Sequence, residues 1–294
     1  MKEIVVISGK GGTGKTSITA SFACLEGSTA VVADCDVDAA DMHLLLQPDF
    51  GKPEDFYSGQ VAVIDRDKCT QCGGCVEVCR FDAIRVTDEG FEVKLLDCEG
   101  CGYCSRICPA GAINNQKLNA GTWFVSSVKT GGRMVHARLG IGADNSGKLV
   151  ARVKNEARNI ANLEHKELII IDGPPGIGCP VISSLSGADF VVLVTEPTPF
   201  GLYDLTLAVD TMRSMNLAFA VVVNRAGVGD DRVNRYCENE KIPILLEIPE
   251  DERVAKAYSR GVMAVDAVPE MNEMFRELCR GIYKCCERGV SCGN

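Results

Sequence analysis

Eight cysteines fall into two runs of matching spacing, Cys69-x2-Cys72-x2-Cys75-x3-Cys79 and Cys98-x2-Cys101-x2-Cys104-x3-Cys108. Thiolates at two-residue gaps place several soft ligands on one tight loop, which suits zinc or an iron–sulfur cluster. Zinc accounts for paired Cys-x2-Cys motifs but not for two complete four-cysteine runs, so the spacing points to iron and sulfide. A second chemistry stands at the start of the chain. Gly9-Lys10-Gly11-Gly12-Thr13-Gly14-Lys15-Thr16 fits the phosphate-binding pattern G-x-x-x-x-G-K-[ST]. Its glycines let backbone N–H groups turn inward around a phosphate at a helix N-terminus. Gly11, Gly12, Thr13, Gly14, Lys15, Thr16 and Ser17 are then the nucleotide-binding set, with Lys15 on the β- and γ-phosphates and the Thr16 hydroxyl on Mg²⁺.

Such residues need elements to aim them. Short β-branched runs at 3–7, 29–33, 168–171, 190–194, 219–223 and 244–248 alternate with helical segments. That order predicts an α/β fold, a mostly parallel, doubly wound sheet with helices on both faces. Sites belong at the carboxyl ends of its strands, where the glycine loop, Asp36, Asp172 and Asn224 all fall. The cysteine runs interrupt this pattern. A polar stretch, "QPDFGKPEDFYSG", reads as a linker before them, and "NQKLNAGT" follows them. Hence the expected organisation is a discontinuous nucleotide-binding domain, 1–59 and 119–294, with an α+β ferredoxin-like insert at 60–118. Within the insert, "AIRVTDEGFEVK" reads as two short strands and a turn.

The stretch "KGGTGKT" carries a second lysine, Lys10, and here the chain resembles the MinD/ParA-type deviant Walker P-loop ATPases over residues 1–45 and 121–270. The resemblance implies ATP hydrolysis by an ATP-sandwiched homodimer, with Lys10 reaching the partner's nucleotide. It also implies that Asp36, in "VVADCD", orients or deprotonates the attacking water, although Asp38 and Asp41 extend the same acidic cluster and leave more than one candidate base. Asp34 and Asp172 (the latter in "ELIIIDGPPG") would join Thr16 and Asp36 around Mg²⁺. The catalytic set is thus Lys10, Lys15, Asp36 and Asp172, while Asn224, Arg225, Pro249 and Asp251 flank the adenine. The cysteine runs resemble bacterial two-cluster ferredoxins, which implies that each run lends its fourth thiolate to the other cluster. Cluster I is then Cys69, Cys72, Cys75 and Cys108; cluster II is Cys79, Cys98, Cys101 and Cys104. Arg80 departs from that pattern, standing where proline usually follows the fourth cysteine. The whole resembles MinD-superfamily ATPases with a ferredoxin domain inserted between the two switch segments.

Composition narrows the alternatives. The 294 residues carry a net charge of −9, against a general nucleic-acid binder. No apolar run reaches a membrane span, and "MKEIVVISG" reads as a strand rather than a signal peptide. Sixteen cysteines in such a chain read as metal ligands or thiols in a reducing cytoplasm. Cys179 stands seven residues after Asp172, as a cluster-binding cysteine does in the nitrogenase iron protein, but a small buried thiol is the simpler reading. Cys279, Cys285, Cys286 and Cys292 match no metal spacing. Met271, Met274, Phe275, Leu278 and Ile282 form a helical stripe expected to pack on the core rather than on a membrane. His43, His136, His165 and Arg133 receive no role. Three uses of an ATP cycle compete: gating electron transfer to a redox or metallocofactor protein, carrying or assembling a metal cluster, and positioning. Two complete cysteine sets favour the first.

Overall fold

A computed structural model describes residues 1–140, 142, 143 and 145–288 of the chain. The strands are β1 (Lys2–Ser8), β2 (Ala30–Asp34), β3 (Glu54–Ile64), β4 (Ile84–Thr87), β5 (Gly90–Val93), β6 (Ile113–Ser127), β7 (Arg133–Leu139), β8 (Leu168–Asp172), β9 (Phe190–Thr195), β10 (Phe219–Ala226) and β11 (Ile244–Pro249). The described residues form two compact units: Met1–Pro53 with Trp123–Arg138 and those from Ser146 onward, and Glu54–Thr122 with those between Leu139 and Asn145.

In the first unit the strands lie in the order β11-β10-β9-β1-β8-β2-β7-β6. β1 pairs in parallel with β8 (Ile4 opposite Ile170) and with β9 (Ile4 opposite Phe190). β2, β8 and β9 are buried along their whole length. Continuous apolar runs of this kind mark parallel strands covered by helices on both faces. The covering helices include Lys15–Glu26, Ser146–Leu163, Pro199–Ser214 and Pro269–Arg288. Pro199 opens its helix at the position where a missing N–H costs nothing, and the Thr198 hydroxyl caps it by accepting from the Gly201 N–H (3.0 Å). Met271, Phe275, Leu278 and Ile282, the stripe of the last helix, are buried in the core against the sheet.

The second unit contains β3, the β4–β5 antiparallel pair, the first part of β6, and two short helices, Gly74–Glu77 and Tyr103–Ile107. Its small core gathers Ala62, Cys75, Ile84 and Ile113. Two readings of the sequence are corrected here. The linker before the cysteines is from Glu54 onward the strand β3, and "NQKLNAGT" lies inside β6. Most of the first half of each strand is exposed on both faces, so neither shows the alternation that betrays a half-buried strand. The unit accordingly begins before residue 60 and ends after residue 118.

Candidate nucleotide site and cysteine pockets

The glycine loop connects β1 to the helix Lys15–Glu26 and borders a cavity of about 410 Å³. Asp36, Asn224, Arg225, Pro249 and Asp251 line the same cavity. The loop is pinned from across the sheet. Asn224, near the end of β10, donates its Nδ2 to the Thr13 carbonyl (2.7 Å). Gly14 has a φ of +88°, and a Cβ there would run into that Asn224 amide. Glycine is therefore required twice over at this position. Asp251 caps the helix Glu252–Tyr258 by accepting from the Arg253 N–H (2.8 Å).

Behind the loop is a cluster of buried charge. Lys15 Nζ lies 2.8 Å from Asp172 Oδ2 and 3.4 Å from Asp36 Oδ2. The Thr16 hydroxyl donates to Asp172 Oδ2 (2.8 Å) and the Thr19 hydroxyl to Asp172 Oδ1 (2.7 Å). Burial pulls the Lys15 ammonium down, but Asp172 and Asp36 outweigh it, and its pKa ends above the usual lysine range. Asp34 is fully enclosed; burial, then the Asp172 charge, push its carboxyl well above the usual range. Its Oδ1 accepts from the Asp36 N–H (3.2 Å), while its Oδ2 is buried with no hydrogen-bond partner. Burial also raises Asp36, with Lys15 opposing. Asp34, Asp36, Asp172 and the Thr16 hydroxyl are hard oxygen donors, the residue types a divalent cation prefers, and the buried Asp34 Oδ2 has no partner.

Lys10 points elsewhere. Its ammonium pairs with Glu196, which also holds Arg225 (3.3 Å), and Arg225 lies 3.6 Å from Glu250. Neither Thr19 nor Glu196 was among the residues singled out from sequence. Thr19 was legible as the helical i+4 neighbour of Lys15, while Glu196 follows β9 with no motif to mark it.

In the second unit two small pockets open among the cysteines. One is lined by Cys69, Cys72, Cys75 and Cys108, the other by Cys79, Cys98, Cys101 and Cys104. Each set joins three thiols of one run to the fourth of the other. The chain repeats its local geometry around them: Cys79 Sγ accepts from the Ala83 N–H (3.4 Å), and Cys108 Sγ from the Ala112 N–H (3.3 Å). Asp82 (φ +50°) occupies the left-handed position that Gly111 (φ +60°) takes in the other run. Arg80 in place of proline leaves this turn intact. Burial raises the thiol pKa of Cys75 and Cys104, so their thiolates need a compensating cation. Among the described residues, no three His, Cys, Asp or Glu side chains converge as ligands of a single ion would.

Residues 4–265 match the CobQ/CobB/MinD/ParA nucleotide binding domain. The chain belongs to this family of P-loop ATPases. An uncharacterized protein of Methanocaldococcus jannaschii is 34% identical over 278 residues, 94% of either chain. The septum site-determining protein MinD of Pyrococcus horikoshii, solved with Mg-ADP, shares the fold at a TM-score of 0.59 and 20% identity, covering 98% of both chains. Ferredoxin-3 of Nostoc matches at 30% identity over 74 residues, 19% of this chain and 76% of the ferredoxin. The MinD/ParA-like sheet thus carries Lys15, Thr16, Asp34, Asp36 and Asp172 to one place, with Asn224, Arg225, Pro249 and Asp251 around the same cavity. Cys179 is exposed at the start of the helix Cys179–Leu185, against the expectation of a buried thiol. Cys279 is buried in the core, Cys286 is half-buried, and Cys292 lies outside the described residues. No described helix is long and apolar enough to cross a membrane.

Proposed function

We propose that this ATPase works as an ATP-dependent homodimer and couples its cycle to electron transfer through two [4Fe–4S] clusters toward a redox or metallocofactor protein. The observation that carries the reading is the pairing of thiols in the second unit. Each small pocket gathers one full set of four, drawn from both runs, beside a backbone N–H aimed at a cysteine sulfur. Four thiolates per site is the ligand count of a cubane. The partial likeness to a ferredoxin supports the same reading.

When bound, the clusters supply one-electron transfer and Mg²⁺ neutralises charge on the phosphate oxygens. The chain's own residues do the rest. Backbone N–H groups from Gly11 to Ser17 cradle the phosphates, and Lys15 exchanges its hold on Asp172 for a phosphate oxygen. Thr16, Asp34, Asp36 and Asp172 would hold the metal. Asp36 orients the attacking water, and Lys10 of a second copy meets the charge that develops in the transition state. Asn224, Arg225, Pro249 and Asp251 receive the base.

Two measurements test the proposal. Anaerobically purified protein is expected to hold about eight irons and about eight acid-labile sulfides per chain. Stoichiometric zinc without sulfide overturns the cluster assignment. Reductive titration followed by electron paramagnetic resonance, with ADP and then with a non-hydrolysable ATP analogue, tests coupling. The expected midpoints differ, and reduction must then change nucleotide preference by the same free energy. Identical midpoints with unchanged nucleotide affinity make the two activities independent and overturn the coupling.

A further inference from the structure

The glycine loop carries two lysines, and the structure treats them oppositely. Lys15 lines the cavity and sits among carboxylates, whereas Lys10 is turned away and does not line it. Glu196, just after β9, accepts the Lys10 ammonium; the side chains are 10% and 33% exposed, respectively. Both its carboxylate and its main chain are held in place. The Thr198 hydroxyl donates to Glu196 Oε1 (3.4 Å), and the Thr198 N–H donates to the Glu196 carbonyl (2.8 Å). Gly201 packs so closely that a Cβ there would overlap the same carbonyl. The Lys10 main chain is fixed too, its carbonyl accepting from the Ser8 hydroxyl (2.8 Å). A preset, largely buried carboxylate holds an ammonium far better than a mobile surface acid does, because less side-chain entropy is lost on pairing.

We infer that Glu196 is a positioning residue that parks Lys10 outside the phosphate cavity. Arg225 shares the Glu196 carboxylate (3.3 Å) and so weakens its hold on Lys10. The two ends of the loop are tied to one strand end. Asn224 grips Thr13 near the loop's end, and its neighbour Arg225 shares the carboxylate that holds Lys10 near the loop's start. Both residues line the cavity, so a molecule bound there bears on both grips at once. That Lys10, once released, serves a second copy of the chain rests on the dimer proposed above; the parking itself does not.

The test reads the Lys10 amine directly. Nucleotide-free full-length protein is treated briefly with an amine-reactive reagent, and labelling at each lysine is followed by mass spectrometry. Glu196→Gln keeps size and shape but removes the charge, and Lys10 is expected to label about fivefold faster than in the unaltered chain. Glu196→Asp, which keeps the charge but shortens the reach, is expected to fall between. Exposed Lys256 normalises the reagent, and Lys154, whose side chain is 2% exposed, labels faster only if the fold loosens. Equal Lys10 labelling in all three proteins overturns the inference. In a parallel sedimentation experiment Glu196→Gln is expected to dimerise at lower ATP than the unaltered chain. If the unaltered chain does not dimerise with ATP at all, the dimer proposal fails while the labelling result still decides the parking.

Discussion

Lys15 Nζ lies 2.8 Å from Asp172 Oδ2, so the loop lysine is neutralised by the carboxylate that ends β8. On the reading proposed above, nucleotide binding replaces that contact with a phosphate. Lys15→Ala therefore removes the phosphate ligand and also leaves Asp34, Asp36 and Asp172 facing one another with no cation between them. Removing one partner of a buried pair costs about 3–5 kcal/mol. Titration calorimetry is expected to show no ATP binding, and denaturant unfolding a loss of that order. The iron content per chain is expected to stay unchanged; ATP binding at the unaltered affinity refutes the role given to Lys15.

Asp34 has the opposite fault, a buried oxygen with no partner beside two other acids. Asp34→Asn removes the cost of ionising a buried carboxyl there and gives that position two N–H donors to spend on Asp172 or Asp36. The nucleotide-free protein is expected to gain about 1 kcal/mol, while the stabilisation conferred by Mg-ATP shrinks. Thermal unfolding with and without Mg-ATP checks both halves. A less stable free protein whose response to Mg-ATP is unchanged contradicts the cation assignment.

Much of this site was legible in the sequence because its elements carry strong local signals. β1, β2, β8 and β9 are unbroken apolar runs, and Asp34 and Asp172 are the last residues of β2 and β8, where a parallel sheet presents its chemistry. The glycine loop follows from its spacing alone. What could not be read depends on partners far along the chain. Glu196 acquires its meaning from Lys10, 186 residues away, and no periodicity encodes that contact. β3 and the first half of β6 hid because solvated strands lack an apolar face. The place of His136 is not encoded locally either, because the residue that satisfies it, Ser126, stands on the neighbouring strand β6.

A buried ion pair elsewhere offers a test of packing rather than of function. Lys154 Nζ donates to the carbonyls of Ser184 and Ser186 (2.7 Å each) and lies 3.2 Å from Glu3 Oε2. The two side chains are 2% and 6% exposed. Lys154→Met takes this donor from the Ser184 carbonyl, while the Ser186 carbonyl keeps Arg158 (3.0 Å), and deprives Glu3 of one of its cations, Arg158 being the other. The expected loss is about 3 kcal/mol by urea unfolding. Glu3→Gln combined with Lys154→Met is expected to recover part of it, because the acid no longer lacks a counter-charge. Strict additivity of the two single changes speaks against a coupled network.

His136 supplies the pH dependence. Its Nε2 lies 2.9 Å from the Ser126 hydroxyl, and its ring stacks on Phe124 with centroids 5.1 Å apart. Burial, then the neighbouring His43 and Arg138, lower its pKa from 6.5 to about 4, with Asp49 opposing them. The imidazole is therefore neutral in the folded chain over a range where the unfolded chain binds a proton. Stability from this group is fully present above about pH 6.5 and is lost as pH falls from there toward about 4; below that both states are protonated and the loss is complete. Between about pH 7 and about pH 5.5 the linkage amounts to about 1 kcal/mol. Ser126→Ala with His136→Phe replaces both partners by apolar groups of similar shape, a change that is close to neutral at high pH. Urea unfolding at the two pH values is expected to show the unaltered chain losing about 1 kcal/mol more than this double variant. Equal losses in the two proteins mean that His136 takes up its proton as readily folded as unfolded, and the buried, neutral assignment is then wrong.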